Sequence, residues 1–162
     1  MIRDAGPEDC AAVAALWNPV IRDTPITFTT LEKTVAGLQQ TLAEKAAAGF
    51  PFLVAEVAGA VAGFATYGAF RNGPGYARTA EHTIILGPGA RGTGLGRALM
   101  AALEARARAA GLHSLIAGVS AENPAGRAFH AAIGFAEIAV LPEVGYKFGR
   151  YMDLVLMQKR FA

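Results

Sequence analysis

The chain has 162 residues, a net charge of +2 and 53% hydrophobic residues, a length that suits one domain with a core of its own. Much of the apolar content is alanine. The mean hydropathy of +0.33 comes without a bilayer-length run, because the most apolar stretch, Phe52 to Phe70, is cut by Glu56, Gly59, Gly63 and Gly68. Scattered basic residues argue against a nucleic-acid partner. The single Cys10 excludes an internal disulfide and a cysteine metal cluster. Met1 to Asp4 lacks the look of a signal peptide, so the expectation is a single cytoplasmic domain, residues 1–162, with no membrane, nucleic-acid or metal partner.

Met1 to Asp4 reads as an edge strand. Pro7-Glu8-Asp9 opens a helix, since proline suits its first turn and acids its positive end. Ala11, Ala14, Leu16 and Trp17 give that helix an apolar side, and Pro19 is expected to end or kink it. Thr24 to Thr30 reads as an irregular polar and aromatic loop. A second helix is expected from Leu31 to Ala48, stopping at Gly49. Phe50 to Val57 and Ala60 to Phe70 read as a hairpin turning at Gly59. Arg71-Asn72-Gly73-Pro74-Gly75-Tyr76 is a loop by composition, and Thr79 to Leu86 is the next strand. Leu95, Leu99 and Leu103 share one helix face. A strand at Ser114 to Val119 and a short helix at Asn123 to Ile133 follow. Two last strands, Phe135 to Leu141 and Tyr151 to Met157, are joined by a loop from Pro142 to Gly149. The alternation implies a mixed α/β sheet carrying helices.

Between the strand ending at Leu86 and the Leu95 helix lies Gly89-Ala90-Arg91-Gly92-Thr93-Gly94-Leu95-Gly96-Arg97. Glycines at alternate positions leave backbone N–H groups uncovered, and a helix start leaves several without intrahelical partners. With the helix dipole and two arginines this makes a phosphate or pyrophosphate site. A plain glycine-rich turn is the alternative. A Walker loop is excluded by the missing Gly-Lys-Ser/Thr, and a dinucleotide fingerprint by the spacing and the mid-chain position.

Arg91-Gly92-Thr93-Gly94-Leu95-Gly96 resembles the R/Q-x-x-G-x-G/A loop of the GCN5-related N-acetyltransferases (GNATs). Asn123-Pro124-Ala125-Gly126-Arg127-Ala128-Phe129-His130-Ala131-Ala132-Ile133-Gly134-Phe135 resembles their second segment, N-x-x-A-x-x-F-Y-x-x-x-G-F. Thr79 to Ile84, Phe129-His130 and Val144 to Asp153 are similar to the phosphinothricin / methionine sulfoximine N-acetyltransferases within that superfamily. Gly126, Arg78 and Ile85-Leu86 depart from the usual pattern, and the last two bear on the acceptor rather than the reaction. The resemblance implies a mostly antiparallel sheet of six to seven strands, about four flanking helices, and central strands splayed at an acetyl-CoA site. It also implies homodimerisation, with a partner subunit completing the pocket.

Acetyl transfer to an amine needs a held thioester, a neutral amine and a stabilised oxyanion. The resemblance assigns the pyrophosphate to Arg91, Gly92, Thr93, Gly94, Leu95, Gly96 and Arg97. It lays the pantetheine arm along Ile84, Ile85 and Leu86, with the Leu86 N–H facing the thioester oxygen. Asn123 is an N-cap by position and a cofactor contact by resemblance, and the two are compatible. Glu81, a carboxylate in an apolar strand, is the candidate base, the alternative being a solvent-facing glutamate. His82 points to the opposite face and reads as structural. His130 stands where relatives place a tyrosine acid, and is a candidate to protonate the thiolate or help deprotonate the amine; packing alone is its alternative. Arg71 and Arg78 are candidates to clamp an acceptor carboxylate. Phe28, Pro74, Gly75, Tyr76 and Val144 are candidates for its pocket. Lys147 and Arg150 read as surface charge, with service to the dimer or to the substrate as the alternative.

The leading expectation is therefore an acetyl-CoA-dependent N-acetyltransferase of small amino-acid-like amines, of the methionine sulfoximine, methionine sulfone or phosphinothricin type, working by direct transfer in a ternary complex. A transferase of peptide or protein amino termini and a non-catalytic acyl-CoA-sensing module are the alternatives.

Overall fold

A computed structural model describes all 162 residues. Seven strands form one sheet: β1 (Ile2–Asp4), β2 (Phe52–Val57), β3 (Ala60–Ala69), β4 (Thr79–Leu86), β5 (Ser114–Ser120), β6 (Ala136–Lys147) and β7 (Arg150–Arg160). Their spatial order is β1-β2-β3-β4-β5-β7-β6. Every pairing is antiparallel except β4 with β5. Four α-helices cover it: α1 (Cys10–Asp23), α2 (Val35–Ala48), α3 (Leu95–Ala109) and α4 (Pro124–Ala132). The mixed α/β architecture is the one expected.

Strand alternation divides the core between the two faces of the sheet. Leu53, Ala65, Leu115 and Val155 face Leu99, Met100 and Leu103 of α3. Val54, Phe64 and Ile85 face Val13, Val20 and Leu38 of α1 and α2. Leu99 and Leu103 have no exposed surface, as their spacing predicts.

Three boundaries differ from the sequence expectation. Helix α1 runs through Pro19 to Asp23, and Val20 and Ile21 just after it are buried. Their packing offsets the hydrogen bond that proline removes. Helix α2 starts at Val35, because the Thr34 hydroxyl accepts the Gly37 N–H at 3.0 Å and caps it there.

The largest difference lies in the last hairpin. Pro142 to Lys147 is strand, not loop, and the connection shrinks to Phe148-Gly149, both at positive φ, as a tight hairpin turn needs. Strand β6 is an edge, so Pro142 breaks no ladder bond. An irregularity between Leu141 and Gly145 absorbs extra residues, with the Glu143 N–H donating to the Asp153 carboxylate.

Candidate active site

The sheet opens in its middle. Strands β4 and β5 pair only from Thr79 with Ser114 to His82 with Ala117. Beyond this, Thr83 to Leu86 and Gly118 to Ser120 keep their outer partners, β3 and β7, and lose each other. The Gly87 N–H donates to Ala62 of the β3 side. Ladder alternation therefore turns the backbone groups of Ile84 and Leu86 into the gap. Unpaired backbone inside a protein calls for a ligand or water.

A groove of about 350 Å³ runs from this gap to the glycine loop, lined by Ile84, Ile85, Leu86, Arg91, Gly92, Asn123 and Phe129 among others. The backbone N–H groups of Arg91, Gly92, Thr93, Gly94, Gly96 and Arg97 have no acceptor within the chain. Only Leu95 has a local partner, the Thr93 hydroxyl at 3.4 Å. Gly94 holds φ 86° and ψ −6° as the residue before α3, a left-handed geometry that suits glycine. Gly96 serves contact instead: an added Cβ would lie 3.0 Å from Leu86 and 3.2 Å from Phe129. Its absence lets α3 close against β4 and α4. Arg91 and Arg97 form no ion pair, so both guanidinia are free for an anion.

On the other side of the gap lies a cavity of about 380 Å³, whose walls include Trp17, Ile26, Phe28, Glu81, Gly118 and His130. Ile26, Ile84, Ile85, Asn123 and His130 line both spaces, so they are continuous. Glu81 lies on the α1/α2 face and His130 on α4 across the sheet. Only the gap lets them share a cavity. Glu81 Oε1 sits where a Cβ on Gly118 would be 3.1 Å away. Its side chain stays open to the cavity, whose walls strip part of its hydration and push the carboxyl above its ordinary range.

His130 has both ring nitrogens engaged. Nδ1 lies 2.7 Å from the Gly126 carbonyl, which only accepts, so Nδ1 carries the proton of the neutral ring. Nε2 then accepts from His82 Nε2 at 2.9 Å. His82 Nδ1 is left buried and unpartnered. Burial, then the neighbouring His130, lowers His82 to about 3, and burial lowers His130 despite the Gly126 bond. The pair is thus neutral at ordinary pH. A buried imidazole of this kind stabilises the fold above its unfolded value of 6.5, and the contribution fades as pH falls toward about 3.

The family model described as Acetyltransferase (GNAT) family matches residues 15–135. The chain belongs to the GNAT acetyltransferase family. It is 39% identical over 158 residues to the L-methionine sulfoximine/L-methionine sulfone acetyltransferase of Pseudomonas paraeruginosa, covering 97% of this chain and 92% of that protein. Among solved structures, the ribosomal-protein-alanine N-acetyltransferase of Brucella melitensis superposes with a TM-score of 0.95 at 39% identity, covering 99% of both chains. The phosphinothricin acetyltransferase of Sinorhizobium meliloti, solved in complex with AcCoA, gives 0.94 at 31% identity, covering 100% of this chain and 88% of that one.

Within this GNAT acetyltransferase the expected residues divide. Glu81, His130, Asn123, Ile84, Ile85, Leu86, Arg91, Gly92 and Phe28 line the two joined spaces. Arg71 and Tyr76 line a separate hollow with Ala69 and Thr79. Pro74, Gly75 and Arg78 are exposed on the same loop and Val144 on β6, outside the cavity. Within one chain the Glu81 cavity is therefore not walled by Arg71, Pro74, Gly75, Tyr76, Arg78 or Val144. The 70–78 loop precedes β4 at the end where β4 and β5 still pair, away from the gap. His82 does point to the face opposite Glu81, yet it also lines the opened cavity.

Sequence reasoning missed one residue and misread another. Gly118, inside a buried-type strand, leaves room for the Glu81 carboxylate. A strand glycine is itself a signal of close approach. Lys147 is not surface charge: it is 3% exposed. Its Nζ donates to the carbonyls of Thr24 at 2.7 Å and Thr27 at 2.8 Å.

Proposed function

We propose that this chain transfers the acetyl group of acetyl-CoA to the amine of a small amino-acid-like acceptor in a ternary complex. The observation that carries the reading is the β4–β5 gap, where a groove from an anion-binding helix start meets a cavity holding a carboxyl of raised basicity. The unbonded N–H groups of Arg91 to Arg97 suit a pyrophosphate. The free backbone of Ile84 and Leu86 suits the amides of a pantetheine arm. When bound, acetyl-CoA supplies the acetyl group as an activated thioester.

Glu81 accepts a proton from the acceptor's ammonium, directly or through one water, freeing the nitrogen lone pair. That nitrogen forms its bond to the acetyl carbon, the C–S bond breaks, and the nitrogen's second proton passes through water to the departing thiolate, leaving the amide and the free thiol of coenzyme A. The Leu86 N–H is directed into the gap, where it stabilises charge developing on the acetyl oxygen. Asn123 keeps its carbonyl on the Gly126 N–H at 2.9 Å, capping α4 so that His130 stays at the gap. The resting His130 shows no free N–H toward the cavity, which favours Glu81 for the first proton transfer.

The free guanidinia of Arg71 and Arg78 serve an acceptor carboxylate only at the edge of an assembly. The β6–β7 hairpin exposes Ile138, Val140, Val144, Tyr146, Phe148 and Tyr151, each by more than half. So large an apolar patch on an edge hairpin marks an interface, and a homodimer in the cytoplasm is our reading. Sedimentation equilibrium is expected to give twice the chain mass of 16.8 kDa.

The likeness to a ribosomal-protein-alanine N-acetyltransferase favours a second reading, a peptide amino terminus as acceptor. One experiment separates them. Thiol release from acetyl-CoA is followed with methionine sulfone, methionine sulfoximine, phosphinothricin, ordinary amino acids and short peptides. Release with the amino-acid analogues and little with peptides is expected. The reverse order overturns the acceptor class, and tight acetyl-CoA binding without release from any amine makes the chain a sensor.

A further inference from the structure

Residues Pro25 to Thr30 form one wall of the Glu81 cavity through Ile26, Thr27, Phe28 and Thr29. None of the glycine-loop residues reaches that cavity; Ile26 also lines the groove, while Thr27, Phe28 and Thr29 face the Glu81 cavity alone. The wall has little of its own to hold it. No backbone–backbone hydrogen bond involves residues 25–30. Within it, the Ile26 N–H makes one local bond, to the Thr24 hydroxyl at 3.3 Å.

The long-range support comes from β6. Lys147 reaches across more than a hundred residues of sequence to the Thr24 and Thr27 carbonyls. Two positions earlier on the same face, Gly145 lies against the Phe28 ring, and a Cβ there would fall 2.5 Å from it. Lys147 has no carboxylate within ion-pair distance. Burial pushes its ammonium below the ordinary range, with Asp23 opposing. An unpaired buried cation is costly, and an apolar side chain would fill the site at less cost. What the ammonium alone supplies is several N–H donors converging on two carbonyls of an irregular segment.

We propose that Lys147 and Gly145 are specificity-determining positioning residues, which pin residues 24–29 to β6 and so shape the acceptor wall. This rests on reading the cavity as the acceptor site. Neither residue touches the reacting atoms. Strand β6 also carries the exposed apolar edge, so packing on that edge and the shape of the acceptor wall share one strand.

Lys147→Met removes the donors, Lys147→Arg keeps charge and donors, and Gly145→Ala crowds Phe28. With methionine sulfone as the probe amine, Lys147→Met and Gly145→Ala are expected to raise KM for the amine about tenfold or more, a typical scale for lost positioning. KM for acetyl-CoA stays within about twofold, because only Ile26 of the segment borders the groove and the glycine loop is untouched. Lys147→Arg recovers part of the loss. Equal rises in both KM values, or none, overturn the proposal. Hydrogen exchange of the Ile26 amide, the one in the segment with an acceptor, supplies a readout without turnover: Lys147→Met is expected to speed it in a protein with unchanged far-UV circular dichroism. Unchanged exchange overturns the pin whatever the acceptor. Absence of turnover in the wild type sinks the proposed function alone, and exchange still decides the pin.

Discussion

Glu81→Gln lowers kcat about a hundredfold or more, the usual loss when a positioned general base is removed. The substitution keeps the size and hydrogen-bonding reach of the side chain but cannot take a proton. Glu81 does not line the groove that runs to Arg91, so acetyl-CoA affinity is expected to hold, and isothermal titration checks it. The pH profile carries the sign. Activity needs the carboxylate, so in the wild type it falls as pH drops through a carboxyl value that the cavity has raised. In Glu81→Gln that acid limb disappears from what turnover remains. A variant with wild-type kcat and an intact acid limb would sink the assignment. It would point to His130, which must then first give up His82 or Gly126.

Gly94→Val weakens acetyl-CoA binding about a hundredfold while leaving the chain folded. Two costs combine. At φ 86° a β-branched residue is a genuine outlier, and a left-handed residue costs about 1–2 kcal/mol. The cheapest relief turns the peptide units on either side and takes the converging N–H groups with them. An added Cβ meets nothing within 4 Å, so no internal clash is created, and the side chain instead occupies the cradle. The loss is read as the acetyl-CoA dissociation constant by titration, with thermal melting showing a small fall. Gly96→Val is the contrast. Its Cβ would press on Leu86 and Phe129, so it is expected to lower the melting temperature more steeply. Unchanged affinity in Gly94→Val would remove the glycine loop from the anion site.

The contrast between Arg91 and Arg71 shows where legibility stops. Arg91 follows a strand and precedes a helix within ten residues, so its surroundings are local and its place at the groove follows from spacing. Arg71 flanks the loop just before Glu81 and has the fork geometry for a carboxylate, yet within one chain it lines a different hollow. Nearness along the chain says little about side chains on opposite ends of a strand. Val144 is a similar case, for reading Pro142 to Gly149 as loop hides the alternation that turns Val144 outward and Gly145 and Lys147 inward.

By itself the sequence determined the order of elements, the apolar face of α3, the glycine-rich start of that helix and the carboxylate on β4. Each depends on contacts within a few residues, where periodicity, glycine spacing and capping act directly. Only the tertiary structure decided that Glu81 and His130, on opposite faces of a sheet, share one cavity. That depends on where β4 and β5 part, a property of the pairing of two strands, and no single segment encodes it. The same holds for the His82–His130 pair and for Lys147. Each is a buried polar group whose partner is brought in by packing from far along the chain, so each reads as ordinary in isolation.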